Sequence, residues 1–116
     1  MKTTKIFETN ITQITIKELA KILTSSKSNS VAICNASTLV RCARDRHVRK
    51  TIENFDIKTA DGFPVAKSLS IFTKKKQLRV DGYKVFMKTL EKGLENNTKH
   101  YFFGNNDKVL GLMIKN

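Results

Sequence analysis

The stretch Ile57-Lys58-Thr59-Ala60-Asp61-Gly62-Phe63-Pro64-Val65 constrains the fold more than any other part of the chain. Ile57 to Ala60 is a short β-prone run that stops at an acidic residue and a glycine. Pro64 suits the first turn of a helix, where its missing N–H costs nothing. The order is therefore a strand, a loop carrying Asp61 and Gly62, and a helix to about Phe72. In an open α/β sheet such a loop lies at the carboxyl end of a strand, where ligands bind. A carboxylate there is a candidate general base. A helix-capping Asp beside a turn Gly is the competing local account.

The rest of the chain repeats this alternation. Lys5 to Glu8 and Ile11 to Ile14 are short β-prone pieces separated by Thr9-Asn10. Thr15 and Glu18 then form a Thr-x-x-Glu capping box, and Ile16, Leu19, Ala20, Ile22 and Leu23 recur at helical spacing. Val31-Ala32-Ile33-Cys34 has the continuous apolar pattern of a strand buried on both faces. It stops at Asn35, and Ala36 to Ala43 reads as a helix with Leu39, Val40 and Ala43 inward, capped by Asn35 or Ser37. Arg41, Arg44, Arg46, Arg49 and Lys50 cluster around Asp45, read as the solvated face of a short helix with His47 on the surface.

After the exposed-type run Thr73 to Gln77 comes Leu78-Arg79-Val80-Asp81-Gly82, then an amphipathic helix with Val85, Phe86, Leu90 and Leu94 inward. Gly82 sits where that helix begins and Arg79 a few residues ahead of it. An Arg before a helix N-terminus can hold a phosphate, because its guanidinium fork and the free N–H groups attract anions together. A surface Arg near a turn is the alternative. Lys99 to Phe103 reads as another buried strand, followed by Gly104-Asn105-Asn106-Asp107 and a helix from near Lys108 with Val109, Leu112 and Met113 on one side. A lone Gly after a strand is a weak phosphate-loop signal.

At 116 residues the chain is one domain at most. Lys and Arg number 22 against 10 Asp and Glu, a net +12, which implies polyanionic partners without choosing among them. Seven Phe and 40% hydrophobic residues argue against disorder. No apolar run reaches the roughly 18 residues of a membrane span, and no signal-peptide core is present. Cys34 and Cys42 read as reduced, buried thiols, and two cysteines without a clustered His pair make no zinc site.

Alternating strands and helices give an α/β fold with a mainly parallel sheet flanked by helices, Rossmann-like in kind. Strands ending at Cys34, Ala60 and Phe103 should be parallel neighbours. Asn35, Asp61-Gly62 and Gly104 would then line one crevice.

The pattern Val31 to Ala36, Ala60 to Val65, Arg79-Val80-Asp81-Gly82 and Phe102-Phe103-Gly104 resembles the WecG/TagA/CpsF glycosyltransferases in order and spacing, from about Lys5 onward. The resemblance implies transfer of a sugar, such as N-acetylmannosamine or glucose, from a UDP-sugar to a polyprenyl-diphosphate-linked acceptor. Such reactions build teichoic acid, capsule and other cell-surface polysaccharide. It makes Asp61 the general base, places Asn35, Gly62 and Gly82 in the pocket, sets Arg79 on a phosphate, and puts Gly104 near the nucleotide. No metal or other cofactor is expected, since no Asp-x-Asp site is present. Family domains continue past Asn116, so residues 1–116 are expected to be an N-terminal part. The C-terminal part would be missing, and it would carry peripheral contact with the inner face of the cell membrane from the cytoplasm. A homo-oligomer stays open, and no specific nucleic acid is expected.

Two departures stand out. Ile33 occupies a position that is often Thr in the family, losing a polar pocket contact, and Lys84 stands where an Asp is usual. Two other readings compete with the transferase. One is a small basic module for nucleic acid or acidic surfaces, using Arg41 to Lys50 and Lys74 to Lys76. The other is a non-catalytic remnant of the transferase.

Overall fold

The computed structural model describes residues 1–115. Strands β1 (Thr3–Ile6) and β2 (Thr9–Thr12) pair antiparallel. Phe7 and Glu8 turn the hairpin with φ of 47° and 68°, the positive values that match the twist of a two-residue turn. The turn thus falls before Thr9-Asn10, where the sequence suggested it, and Thr9 is a buried strand residue. Helix α1 (Ile16–Leu23) begins on the expected box: the Thr15 hydroxyl accepts from the Glu18 N–H at 3.2 Å, and the Glu18 carboxylate accepts from the Thr15 N–H at 3.1 Å.

The remaining elements are β3 (Val31–Cys34), α2 (Ala36–Arg44), α3 (Arg46–Glu53), β4 (Ile57–Ala60), α4 (Phe63–Thr73), α5 (Gly82–Glu95) and α6 (Asp107–Lys115). β3 and β4 are parallel, in register from Val31↔Ile57 to Cys34↔Ala60. Side chains alternate across this pair, and each face meets its own apolar layer. Ala32, Cys34 and Ala60 pack with Leu39 of α2 and with Val65, Ala66 and Leu69 of α4. Ile57 packs with Leu19 of α1, Val85 of α5 and Val80, joined by half-buried Val31 and Ile33. Covering both faces is what a parallel pair requires, and it explains the unbroken apolar run at Val31 to Cys34.

Two polar devices fix the pair. At its amino end, the Asp56 carboxylate accepts from the Ser30 N–H at 2.7 Å and hydroxyl at 2.9 Å, while the Ser30 hydroxyl accepts from the Asp56 N–H at 3.1 Å. Lys58, nearly buried, donates its ammonium to the Phe55 carbonyl at 2.9 Å and its N–H to the Thr12 hydroxyl at 3.2 Å, tying β4 to β2.

Several sequence expectations are corrected. The sheets have only two strands each, so the larger Rossmann-like parallel sheet is not formed among the described residues. Lys99 to Phe103 is no strand: Tyr101 and Phe103 are 88% and 92% exposed. The segment lies instead on α5, with the Phe102 and Phe86 rings 5.8 Å apart and His100 stacked on Phe102. A strand exists only through its partner's hydrogen bonds, and an apolar run cannot report whether that partner is in place. In α2 the inward residues are Leu39 and Cys42, while Val40 is exposed. Leu94 of α5 and the apolar side of α6 are also exposed. Arg49 leaves the solvated cluster, donating to the Cys42 and Ala43 carbonyls at 2.8 and 3.1 Å and closing the end of α2. No described helix is long and apolar enough to cross a membrane.

Cys34 and Cys42 are fully buried, and burial, with Cys42 beside it, pushes the Cys34 thiol up to about 11 against the opposing charge of Lys58. A disulfide-exchange reagent at pH 8 should therefore titrate neither thiol in the native chain and both in denaturant. The Ser30 hydrogen bonds hold Asp56 below its ordinary 3.8. A depressed carboxylate stabilises above its unfolded value and loses that contribution as pH falls through the folded one. Asp56→Ala should accordingly lower Tm at neutral pH, with the deficit against wild type closing below about pH 3.8 in thermal melts.

Candidate active site

The β3–β4 ladder runs one step past the strands. The Asp61 N–H donates to the Cys34 carbonyl at 2.9 Å, so Asn35 and Asp61 stand side by side at the carboxyl end. A parallel pair exposes both strand ends on one edge, which is how two residues far apart in sequence come to share a site.

Asn35 is the N-cap of α2. Its side-chain oxygen accepts from the Thr38 N–H at 2.9 Å and hydroxyl at 3.0 Å. Its amide nitrogen donates to no protein group among the described residues. Asp61 does not play the corresponding role for α4. The N-cap there is Gly62, with no side-chain hydrogen bond at the helix start. The competing account of Asp61 as an ordinary cap therefore finds no hydrogen bond to rest on. Gly62 has φ 90° and ψ 149°, a region that side chains with a Cβ strongly avoid.

A third segment completes the site. The Val80 N–H donates to the Ala60 carbonyl at 2.8 Å, and the Val80 side chain is buried against Ile57 and Val85. This anchor lays Arg79 beside the strand end. Its guanidinium stands 3.9 Å from the Asp61 carboxylate and 3.6 Å from that of Asp81. Both contacts exceed hydrogen-bonding distance, and the Arg79 side chain is 53% exposed against 26% for Asp61. Pairs of this kind contribute about 0–1 kcal/mol, so Arg79 is placed by attraction without being locked. Among the described residues no three metal-ligating side chains converge.

Asp81 is the residue that sequence reasoning passed over. It caps α5, accepting from the Tyr83 N–H at 2.9 Å, and flanks Arg79 with a second carboxylate. The signal was present, since an Asp directly before a helix start is a cap signature. Gly82 opens α5 and lies close to Ile33: a Cβ there would meet the Ile33 side chain at 3.6 Å. Ile33, the apolar replacement noted above, thus serves the packing of α5. Lys84 is exposed. Gly104 is not brought to this edge. It lines a separate hollow of about 490 Å³ with Tyr101, Phe103, Asp107 and Leu110, because the strand that would have carried it alongside β3 is not formed.

A strand-end carboxylate with a neighbouring amide and a loosely held guanidinium can accept a proton beside a phosphate. The sequence model described as "Glycosyl transferase WecG/TagA/CpsF family" matches residues 4–116. The chain belongs to this family. It is a glycosyltransferase of the WecG/TagA/CpsF type, a class that transfers a sugar from a sugar-nucleotide donor to a lipid-linked acceptor. No curated protein matches the chain significantly.

Gly62 and Gly82 separate cleanly by substitution. Gly62→Ala should cost about 1–3 kcal/mol in urea unfolding, because its backbone conformation excludes a Cβ. Gly82→Ala should be near neutral, because its Cβ meets Ile33 at an ordinary contact distance.

Proposed function

We propose that this glycosyltransferase moves a hexose, such as N-acetylmannosamine or glucose, from a UDP-sugar to a polyprenyl-diphosphate-linked acceptor, with Asp61 as general base. The observation that carries this reading is the Asp61 carboxylate: it sits at the carboxyl end of the parallel pair, caps no helix, and faces Arg79.

The reaction is a single displacement. The acceptor oxygen bonds to the anomeric carbon and its proton passes to Asp61. The bond from that carbon to the β-phosphate oxygen breaks, and UDP departs with the electron pair. Inversion at the anomeric carbon follows. Arg79 suits the departing diphosphate, because its N–H groups make no short hydrogen bond to either carboxylate and are free to turn toward a stronger anion. The Asn35 amide adds a neutral donor for a sugar or acceptor oxygen, and Gly62 lets backbone approach the substrate. This reading places the protein at the cytoplasmic face of the cell membrane, in teichoic acid, capsule or related polysaccharide synthesis.

Asp61→Asn is the decisive substitution. A general base contributes roughly 10²- to 10⁴-fold to rate, so UDP release with a polyprenyl-diphosphate sugar acceptor should fall by about that factor. Tm should be unchanged, since Asp61 closes no helix, and UDP-sugar affinity should survive. Turnover near wild type would remove the base assignment.

A further inference from the structure

Helix α4 turns Val65, Ala66 and Leu69 to the core and leaves an apolar face on the opposite side. Phe63 and Ile71 are 70% and 63% exposed there. The solvent face of a helix is ordinarily polar; here its polar members are lysines. Lys67 sits between Phe63 and Ile71, one helical turn from each, and Lys74, Lys75 and Lys76 follow directly where Lys74, at φ 56°, ends the helix. From Gly62 to Val80 the chain carries five basic residues and no acidic one. None of these four lysines enters an ion pair among the described residues.

We propose that this outer face of α4 docks on an anionic lipid bilayer. Aromatic and aliphatic side chains beside uncompensated lysines are the make-up of a helix lying in a membrane interface, with apolar groups entering the acyl boundary and ammonium groups meeting anionic head groups. A nucleic acid would use the lysines but leave Phe63 and Ile71 in water. α4 begins two residues after Asp61, so a bilayer along its length holds the strand end near the head-group plane, where a lipid-linked hydroxyl arrives. That last link rests on the acceptor proposed above; the docking surface itself does not.

The test uses the full chain and vesicles of phosphatidylcholine with or without about one-third phosphatidylglycerol. Because the chain has no Trp, Phe63→Trp supplies a single reporter. The chain should sediment with the anionic vesicles, and the new indole should shift to the blue and be quenched by brominated acyl chains. Each lysine near an anionic surface is worth roughly fivefold in partition, so replacing Lys74, Lys75 and Lys76 together by Ala should weaken it about a hundredfold. Phe63→Ser with Ile71→Ser should remove the part that survives high salt, with circular dichroism confirming an unchanged fold. The proposal falls if anionic vesicles are not bound, if the indole stays in water, or if either set of variants partitions like wild type. It also falls if duplex DNA is bound more tightly than vesicles and that binding is lost with the lysines. Vesicle partition is read without turnover, and the Asp61→Asn assay runs with a detergent-dispersed acceptor. Either reading can therefore fail alone.

Discussion

The parallel ladder between β3 and β4 sets the position of nearly everything that matters in this chain. A parallel pair cannot be closed by a tight turn, so α2 and α3 must cross between its strands, and both of its faces must then be covered. α2 and α4 close one face, and α1 and α5 close the other. The same ladder brings Asn35 and Asp61 to one edge, and the Val80 N–H, donating to the Ala60 carbonyl, adds Arg79 to them. Three segments distant in sequence therefore meet through main-chain hydrogen bonds, and the site inherits the rigidity of the core.

The electrostatics of the site is correspondingly loose. A locked Arg–carboxylate pair would show hydrogen bonds below about 3 Å and would resist exchange with a substrate. At 3.6 and 3.9 Å, with more than half of the Arg79 side chain in water, the guanidinium is held in place but not used up. A diphosphate offers more charge and better geometry than either aspartate. Rigid backbone and exchangeable side-chain pairing together suit the phosphate role proposed for Arg79.

Much of this is legible in the amino-acid sequence. The Thr15–Glu18 box, the strands at Val31 and Ile57 and the loop at Asp61-Gly62 are local signals, each with a short-range physical cause, and each is found where it was read. What was misread depends on neighbours. Lys99 to Phe103 has the composition of a buried strand, yet its backbone finds no ladder, and Gly104 stays away from the site as a result. Helix phase was misjudged at Val40, because Cys42 is the small apolar residue that α2 turns inward beside Leu39. Arg49 could not be told from its basic neighbours, since only the nearby end of α2 gives it carbonyls to close. Asp81 was readable as a cap, but its second role as a flank for Arg79 needed the fold.

The reciprocal hydrogen bonds of Ser30 and Asp56 also bear on how the chain folds. They join residues 26 positions apart, at the base of the crossover that contains α2 and α3. The β1–β2 hairpin closes over two residues and can form within microseconds, whereas a loop of this size must be closed before the parallel ladder returns any free energy. Ser30 and Asp56 lie at the mouth of that loop, where their directional hydrogen bonds fit one register of the strands. A slip of one residue there would send Asp61 to the wrong face of the sheet. The register held at this end is thus the one that sets the geometry of the opposite edge, where Asn35 and Asp61 meet.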